Sequence, residues 1–255
     1  MDGEQRAPSP ARMYDYYLGG SDNFPADREA AERILAMEPA VRDNTRANRR
    51  FLVRAVRFLA ESGIDQFIDL GAGLPTAPNV HQVVHEVRSD ARVVYVDNDP
   101  VVTAHLRALD DCDGILTIEG DVRRPGNIRN DPAVQRVIDF TRPVAVLLVS
   151  LLHFFDDADA ERILAGVRTW MVPGSYLVLS ATGAENIPES EMNTAADIYT
   201  PAKVNLRFRT PEEMRAFVAG YDLVEPGIVP AQHWRAAEPV SRGHLLAAVA
   251  RRPTR

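Results

Sequence analysis

Five short apolar runs alternate with stretches of helical periodicity, and this alternation constrains the chain more than any other feature. The runs are "QFIDLG" (66–71), "RVVYVD" (92–97), "GILTIEGD" (114–121), "VAVLLVS" (144–150) and "SYLVLS" (175–180). Each is rich in β-branched and aliphatic residues and apolar on both faces, as parallel strands covered by helices should be. Helical patterns fill the intervals near 78–88, 99–110, 131–139 and 157–171. Strand, crossover helix and parallel strand make the repeating unit of a doubly wound α/β sheet. A further helix near 211–219 has Thr210 as N-cap, Pro211 at its first position, Glu213 closing a capping box and Gly220 at its end. The stretch "GHLLAAVARR" (243–252) then reads as a last strand, for which antiparallel pairing is open. Ahead of the sheet, 27–38 and 43–62 read as two helices. The second carries Phe51, Leu52, Ala55, Phe58 and Leu59 at helical spacing, stops at Gly63, and is expected to pack on the sheet.

Composition removes several function classes. A chain of 255 residues suits one large α/β domain or at most two small ones. The net charge of -7 argues against a nucleic-acid partner, which calls for a basic field. The basic run "RANRRFLVR" (46–54) reads as the wet face of a helix. Cys112 is the only cysteine, so neither a disulfide framework nor a cysteine zinc site is available. No apolar signal core or membrane-length run is present, so a cytoplasmic protein without a membrane partner is expected. Lys203 is the only lysine beside 28 arginines, and "TPAKVNL" resembles neither a Walker A nor a Schiff-base setting. His81 and His85 share a helix face, but there is no HExxH pattern and no evident third ligand; no metal is expected.

The chemistry gathers at the C-terminal ends of the strands, where open parallel sheets bind ligands. After the first strand, Gly71 and Gly73 in "DLGAGLPT" permit a tight turn and a close ligand approach. A dinucleotide fingerprint needs a third glycine where Thr76 stands, and Pro75 removes an N–H from the pyrophosphate position. In "YVDNDP" (95–100), Asp97 can hold a ribose diol, while Asp99 before Pro100 suits a helix N-cap. In "EGDVRRP" (119–125), Asp121 and the Val122 N–H can read an adenine edge, or Asp121 can simply form a turn. Asp69, Asp97 and Asp121 end successive strands and would make one negative cleft. Such a cleft suits a phosphate-free, cationic ligand such as a sulfonium cofactor and repels a pyrophosphate.

The ordered set "DLGAGLPT", "YVDNDP", "GDVRRP" and "VLLVSLLHFF" resembles the class I S-adenosylmethionine-dependent methyltransferases. With "ARMYDYYLGGSDNFPADREAA" and "TRANRRFLVRAVRFLAESGIDQFIDLGAGLPT" it resembles, more narrowly, an actinobacterial family of S-adenosyl methyltransferases of unknown substrate, from about residue 11 to 250. The resemblance implies a Rossmann-like, mostly parallel seven-stranded sheet with an N-terminal helical extension. Residues 1–62 would form a lid segment and helices packed on the core, and 63–255 the cofactor-binding core. S-adenosylmethionine is the implied cofactor. Gly71, Ala72 and Gly73 would pass under its methionine part, Asp97 would hold the ribose and Asn98 flank the adenine. Asp121 and Val122 would read the adenine, and Ser150 would offer a carbonyl. The run "MYDYYLGGSDNF" (13–24) would fold over the cofactor mouth, with Tyr14 and Tyr17 as walls, Gly19-Gly20 as a hinge and Asn23 as a polar contact. The alternative is that these tyrosines merely pack on helices.

The acceptor is expected to be a small molecule methylated on oxygen or nitrogen. No D/N-P-P-Y/F run for base amines is present, and Cys112 is not placed as a cytosine nucleophile. His153, just past the fourth strand, is the candidate catalytic proton acceptor. The stretch 183–209, with Glu185, Glu189, Asp197, Tyr199 and Arg207, would roof the acceptor pocket, joined by Trp234. Two other classes compete: a cofactor-binding protein without turnover and, more distantly, an NAD-dependent oxidoreductase.

Overall fold

All five apolar runs become neighbouring parallel strands in a computed structural model that describes residues 7–109, 113–185, 187–237 and 244–254. Cys112 and the expected start of the last strand at Gly243 lie outside the described residues. The strands are β1 (Gln66–Leu70), β2 (Arg92–Asp97), β3 (Ile115–Glu119), β4 (Ala145–Val149) and β5 (Tyr176–Thr182). Three more follow: β6 (Asp222–Leu223), β7 (Val229–Pro230) and β8 (Leu245–Arg251). Their order is β3-β2-β1-β4-β5-β8-β6, with β8 antiparallel to β5. The short β6 and β7 both pair with β8, so the sheet is seven positions wide although eight segments build it. No side chain of β1 faces solvent, which is why its sequence shows no polar alternation beyond Gln66 and Asp69.

Successive strands run outward from β1 in both directions, to β2 and β3 on one side and to β4 and β5 on the other. Crossovers therefore leave β1 and β4 toward opposite faces, and the loops beyond their ends part into a crevice. The crossover helices are α4 (Val80–His85), α5 (Pro100–Arg107), α6 (Pro125–Asn130), α7 (Pro132–Val137) and α8 (Asp157–Arg168), with α10 (Pro211–Phe217) ahead of β6. Local chemistry sets their starts. Asp99 caps α5 by accepting from the Val101 N–H at 2.9 Å. Thr210 and Glu213 of α10 exchange the two hydrogen bonds of a capping box, at 3.2 and 2.7 Å.

Four helices lie off this scheme: α1 (Pro10–Leu18), α2 (Pro25–Met37), α3 (Val41–Glu61) and α9 (Glu189–Tyr199). Helix α3 buries Phe51, Leu52, Ala55 and Leu59 in the cluster under one sheet face. Its stop is the expected one, with Gly63 at φ 95° and its N–H on the Ala60 carbonyl. The opposite face packs on α8 through Ile68, Ile163 and Trp170. A third cluster joins α1, α2 and α9 through Met13, Tyr17, Ala31, Ile198 and Tyr199. Helices α1, α6 and α9 carry no expectation from the sequence. Among the described residues no helix is long and apolar enough to cross a membrane.

Candidate cofactor and acceptor site

The crevice is a single cleft of about 1040 Å³, slightly above the upper end of the range for drug-sized ligand pockets and so roomy enough for two small molecules. Tyr14, Tyr17, Gly71, Ala72, Gly73, Asp97, Asn98, Val122, Ser150 and His153 all line it, as does Asp69. The turn after β1 is built by backbone. The N–H groups of Gly71 and Ala72 donate to the Val96 carbonyl at 2.8 and 3.1 Å, and Gly73 N–H donates to Asp97 Oδ2 at 3.0 Å. Gly71 and Gly73 hold φ of 68° and 67°, which L side chains rarely adopt. A Cβ on Gly73 would meet nothing within 4 Å, whereas one on Gly71 would strike Leu151 at 2.5 Å, so the open space lies at Gly73.

The two buried acids differ. Asp97 accepts from Gly73 N–H through one oxygen and from Asp99 N–H through the other, both at 3.0 Å, leaving a lone pair on each for a ligand. Burial pushes its pKa up and these backbone donors hold it back. Asp69, only 6% exposed, makes no side-chain hydrogen bond or ion pair among the described residues. Burial raises its pKa to about 7; the charge of Arg49 opposes the rise and that of Asp97 adds to it. A buried carboxylate without a partner, facing a cleft, is poised for a cation. Arg49 itself donates to the carbonyls of Thr76 and Pro78 at 2.5 and 2.9 Å, so the basic run 46–54 is not simply a wet face. Arg54 of the same run donates to the carbonyls of Trp234 and Ala231.

Asp121 departs from expectation. Its carboxylate does not line the cleft but forms a fork with Arg123, at 3.0 and 2.8 Å, which holds its pKa below the usual range despite some burial. Chain-local geometry explains this: the Arg123 N–H and side chain both reach back two residues to the same acid. Ser150, at φ 59°, turns at the end of β4 with its N–H on Ser180 Oγ and Ser180 O, at 2.9 and 3.0 Å. His153 is buried, and its Nδ1 accepts from the Thr182 N–H at 3.3 Å. That bond puts the ring proton on Nε2, and burial, helped by the charge of Arg209, lowers the pKa to about 3. The ring sits where the sequence expects it, lining the cleft.

The N-terminal run is helical as far as Leu18, the end of α1. Met13 and Tyr17 are buried against α2 and α9, and Tyr14 donates to the Thr45 carbonyl at 3.3 Å. The expected hinge is a helix end: Gly19 caps α1 at φ 86°, and Gly20 lies so close to the Asp15 carboxylate that no side chain fits. Asn23 makes no cleft contact; its amide donates to Asp15 Oδ2 at 2.8 Å and to the Gly20 carbonyl at 3.0 Å. Trp234 is fully buried in the α3 cluster, edge-on to Phe51 at 5.5 Å, because an indole finds its apolar partners there. Of the expected roof only Tyr199 lines the cleft. Glu185, Glu189, Asp197 and Arg207 are exposed, and residues 202–205 take their place. His81 bonds the Tyr95 hydroxyl at 2.9 Å and His85 the Ala91 carbonyl at 3.0 Å.

Sequence reasoning misses the polar links that hold α1 in place. Arg12 donates to Asp27 at 2.8 Å and to Asp99 at 3.1 Å, both largely buried. Asp27, with no exposure, also accepts from the N–H groups of Ser9 and Phe24 at 2.8 Å. A second link runs from Tyr14, whose hydroxyl accepts from Asn48 Nδ2 at 3.0 Å. Asn48 Oδ1 accepts from Ser180 Oγ at 2.7 Å, and Ser180 Oγ accepts from the Ser150 N–H. The one signal in the sequence is Asn48, a polar residue one turn before Phe51 and Leu52 on the face of α3 that is buried.

The strand order, the glycine turn after β1 and the acids ending β1 and β2 define a class I methyltransferase architecture. The chain belongs to the S-adenosyl methyltransferase family, whose model matches residues 2–253. It is similar to a protein of Thermobifida fusca YX provisionally assigned as a methyltransferase, at 40% identity and TM-score 0.91, over 98% of this chain and 97% of that one. A DUF574-family protein of Streptomyces avermitilis MA-4680 is similar at 37% identity and TM-score 0.91, over 97% and 98% of the two chains. Human N-acetylserotonin methyltransferase, in complex with SAM, shares the fold alone, at 17% identity and TM-score 0.53, over 98% of this chain and 64% of its own. No curated protein matches the chain. It is thus a methyltransferase of the kind whose methyl donor is S-adenosylmethionine.

Proposed function

We propose that the chain transfers the methyl group of S-adenosylmethionine to an oxygen or nitrogen of a small-molecule acceptor. The observation that carries this reading is Asp69: a buried carboxylate facing the cleft without a hydrogen bond, its pKa pushed up to about 7, near a turn that is open at Gly73. A cation is the ligand that repairs it, and a dinucleotide phosphate is the one it repels. S-adenosylmethionine supplies an electrophilic methyl on a positively charged sulfur and brings an ammonium group.

The remaining roles follow from donors and acceptors. Asp97 accepts from the ribose hydroxyls through its two free lone pairs. Gly71, Ala72 and Gly73 run beneath the methionine part, with Asp69 and Arg49 opposite its ammonium and carboxylate. Asn98 and Val122 flank the adenine. Asp121 serves there indirectly, by fixing Arg123, because its own oxygens are taken. Tyr14 and Tyr17 wall the cleft, and the Ser150 carbonyl faces it. His153 orients the acceptor by donating from Nε2 and does not remove its proton.

Calorimetric titration with S-adenosylhomocysteine, S-adenosylmethionine and NAD tests the reading. The adenosyl ligands should bind and NAD should not, and equal or tighter NAD binding overturns it. A methyl-transfer screen against metabolite extract with labelled S-adenosylmethionine then tests turnover, and label appearing only in macromolecules would refute a small-molecule acceptor.

A further inference from the structure

The half of the cleft away from Asp97 has a different chemistry. Its walls include Tyr17, Phe154 and Tyr199. The Phe154 ring lies 5.6 Å from that of Tyr199, tilted by 44°, and 4.2 Å from the imidazole of His153. The Tyr17 hydroxyl is buried in this cluster without a well-formed hydrogen bond. The segment after α9 is laced to the same place: Asn205 N–H donates to the Phe154 carbonyl at 3.3 Å, and Arg207 N–H to the His153 carbonyl at 2.7 Å. Lys203, two residues before this lacing, also lines the cleft.

Lys203 is unusual in three ways. It is the only lysine where 28 other positions use arginine, so a compact ammonium here is not the chain's default cation. Its backbone is left-handed, at φ 57°, and of the three non-glycine residues so strained, Ser150 and Lys203 both face the cleft. Its side chain is exposed to solvent at the cleft, with no hydrogen bond and no acidic partner among the described residues, whereas the other cations at the cleft are engaged. Arg12 is held by Asp27 and Asp99, Arg123 by Asp121, and Arg49 by two carbonyls; His244 faces Glu38 at 3.7 Å. The acids at the cleft are placed elsewhere. Asp69, Asp97 and Asp99 belong to the cofactor half, Asp159 adds to the field at Arg123, Asp156 caps α8 by accepting from the Asp159 N–H at 2.8 Å, and Asp15 accepts from Asp22 N–H and Asn23.

We propose that the methyl acceptor is a planar aromatic molecule carrying an anionic group, its ring held against Tyr17, Phe154 and Tyr199 and its anion paired with Lys203. This rests on the methyltransferase reading above. Aromatic walls reward a flat apolar body, and a neutral imidazole donor plus an unpaired ammonium leave that half short of negative charge. The one acid beside Phe154 at the cleft, Asp156, is committed to capping α8, so a cationic acceptor finds no free acid there.

The test uses the full chain saturated with S-adenosylhomocysteine and two probes of matched shape, 1-hydroxy-2-naphthoate and the neutral 1-hydroxy-2-naphthamide. Their affinities are measured by calorimetry on wild type, Lys203→Gln and Lys203→Arg. The acid should bind wild type about tenfold or more tighter than the amide, the worth of one charge-assisted contact. Lys203→Gln should bring the acid down to the amide's level, leaving the amide and S-adenosylhomocysteine unchanged, and Lys203→Arg should keep part of the preference. Equal binding of the two probes to wild type, binding of neither, or an acid preference that survives Lys203→Gln would each overturn the proposal. Failure of S-adenosylhomocysteine itself to bind would instead bring down the methyltransferase reading beneath it.

Discussion

Replacing Asp69 by Asn should make the empty protein more stable and the enzyme worse at holding its cofactor. In the native state burial pushes this carboxyl from 3.8 to about 7, against the charge of Arg49 and with that of Asp97. Between those two values the folded chain keeps a proton that the unfolded chain has released. Stability therefore falls as pH rises through that window, and the penalty is complete above about 7. At about 1.4 kcal/mol per pKa unit the ceiling is about 4 kcal/mol, and water entering the open cleft lowers the realised figure. The amide of the Asp69→Asn variant carries no such penalty. Thermal melts of the apo proteins should show the variant gaining on wild type between pH 5 and pH 8, by several degrees and at most about 10 °C. Using the difference between two pH values removes the constant cost of burying an amide. Cofactor binding should run the other way. A bound cation draws the proton off Asp69, so wild-type affinity for S-adenosylmethionine should rise through pH 7, with proton release visible as a buffer-dependent heat. Asp69→Asn should weaken binding and abolish that pH dependence. An apo variant that gains nothing at pH 8, together with pH-independent wild-type binding, would refute the reasoning.

Asp97→Ala should weaken S-adenosylhomocysteine about tenfold or more, the loss of a charge-assisted hydrogen bond of roughly 1.5–3 kcal/mol, while circular dichroism reports an intact sheet. Arg12→Ala leaves Asp27 buried without its cation and should cost about 3–5 kcal/mol in denaturant unfolding, far more than loss of a surface ion pair. Asn48→Ala interrupts the link from Tyr14 to Ser180 and should cost about 1–3 kcal/mol through the unsatisfied partners it leaves; a melting temperature equal to wild type would count against the link. Hydrogen exchange over 13–24 should already be slow at Met13 to Leu18 without cofactor, since Met13 and Tyr17 are in place in the third cluster. Fast exchange there that slows only with S-adenosylhomocysteine would restore the moving lid.

What the sequence made legible is what is local. The strands announce themselves because residues buried on both faces must be apolar; β1 to β4 fall inside the expected runs, and β5 continues two residues past its run, to Thr182. Asp99 and Thr210 are visible as caps because a cap lies within three residues of its partner. The glycine turn and the place of Asp97 beside it are visible because both follow from position at a strand end. What stayed hidden is long-range pairing. Arg12 meets an acid 87 residues away, and Ser180 meets Asn48 across 132 residues, with nothing in either local pattern to announce it. Arg49 was hidden differently. A helix covered on more than one side has no clean wet face, so a basic run on it carries residues that work inward. Of the two readings the sequence leaves open for Asp121, the turn is the one visible in the structure, because the Arg123 N–H and guanidinium both reach back two residues to it.

The aromatic N-terminal run makes physical sense only when its polar neighbours are counted with it. Tyrosines and Met13 would hold α1 against α2 and α9 by apolar burial alone, a non-directional force that tolerates sliding. The hydrogen bonds remove that freedom. Arg12 reaches Asp99, whose N–H rests on the Asp97 carboxylate, so α1 is tied to the ribose end of the cleft. Tyr14 reaches Asn48, then Ser180, then the Ser150 N–H, so the same helix is tied to the end of β4 beside the acceptor half. One nine-residue helix thus braces two strand tips on either side of β1. The buried arginine and asparagine are costly groups to place, and burial alone would not have called for them. Their positions between α1 and the strand tips show what they secure: the spacing across the cleft between Asp97 at the end of β2 and the Ser150 turn at the end of β4.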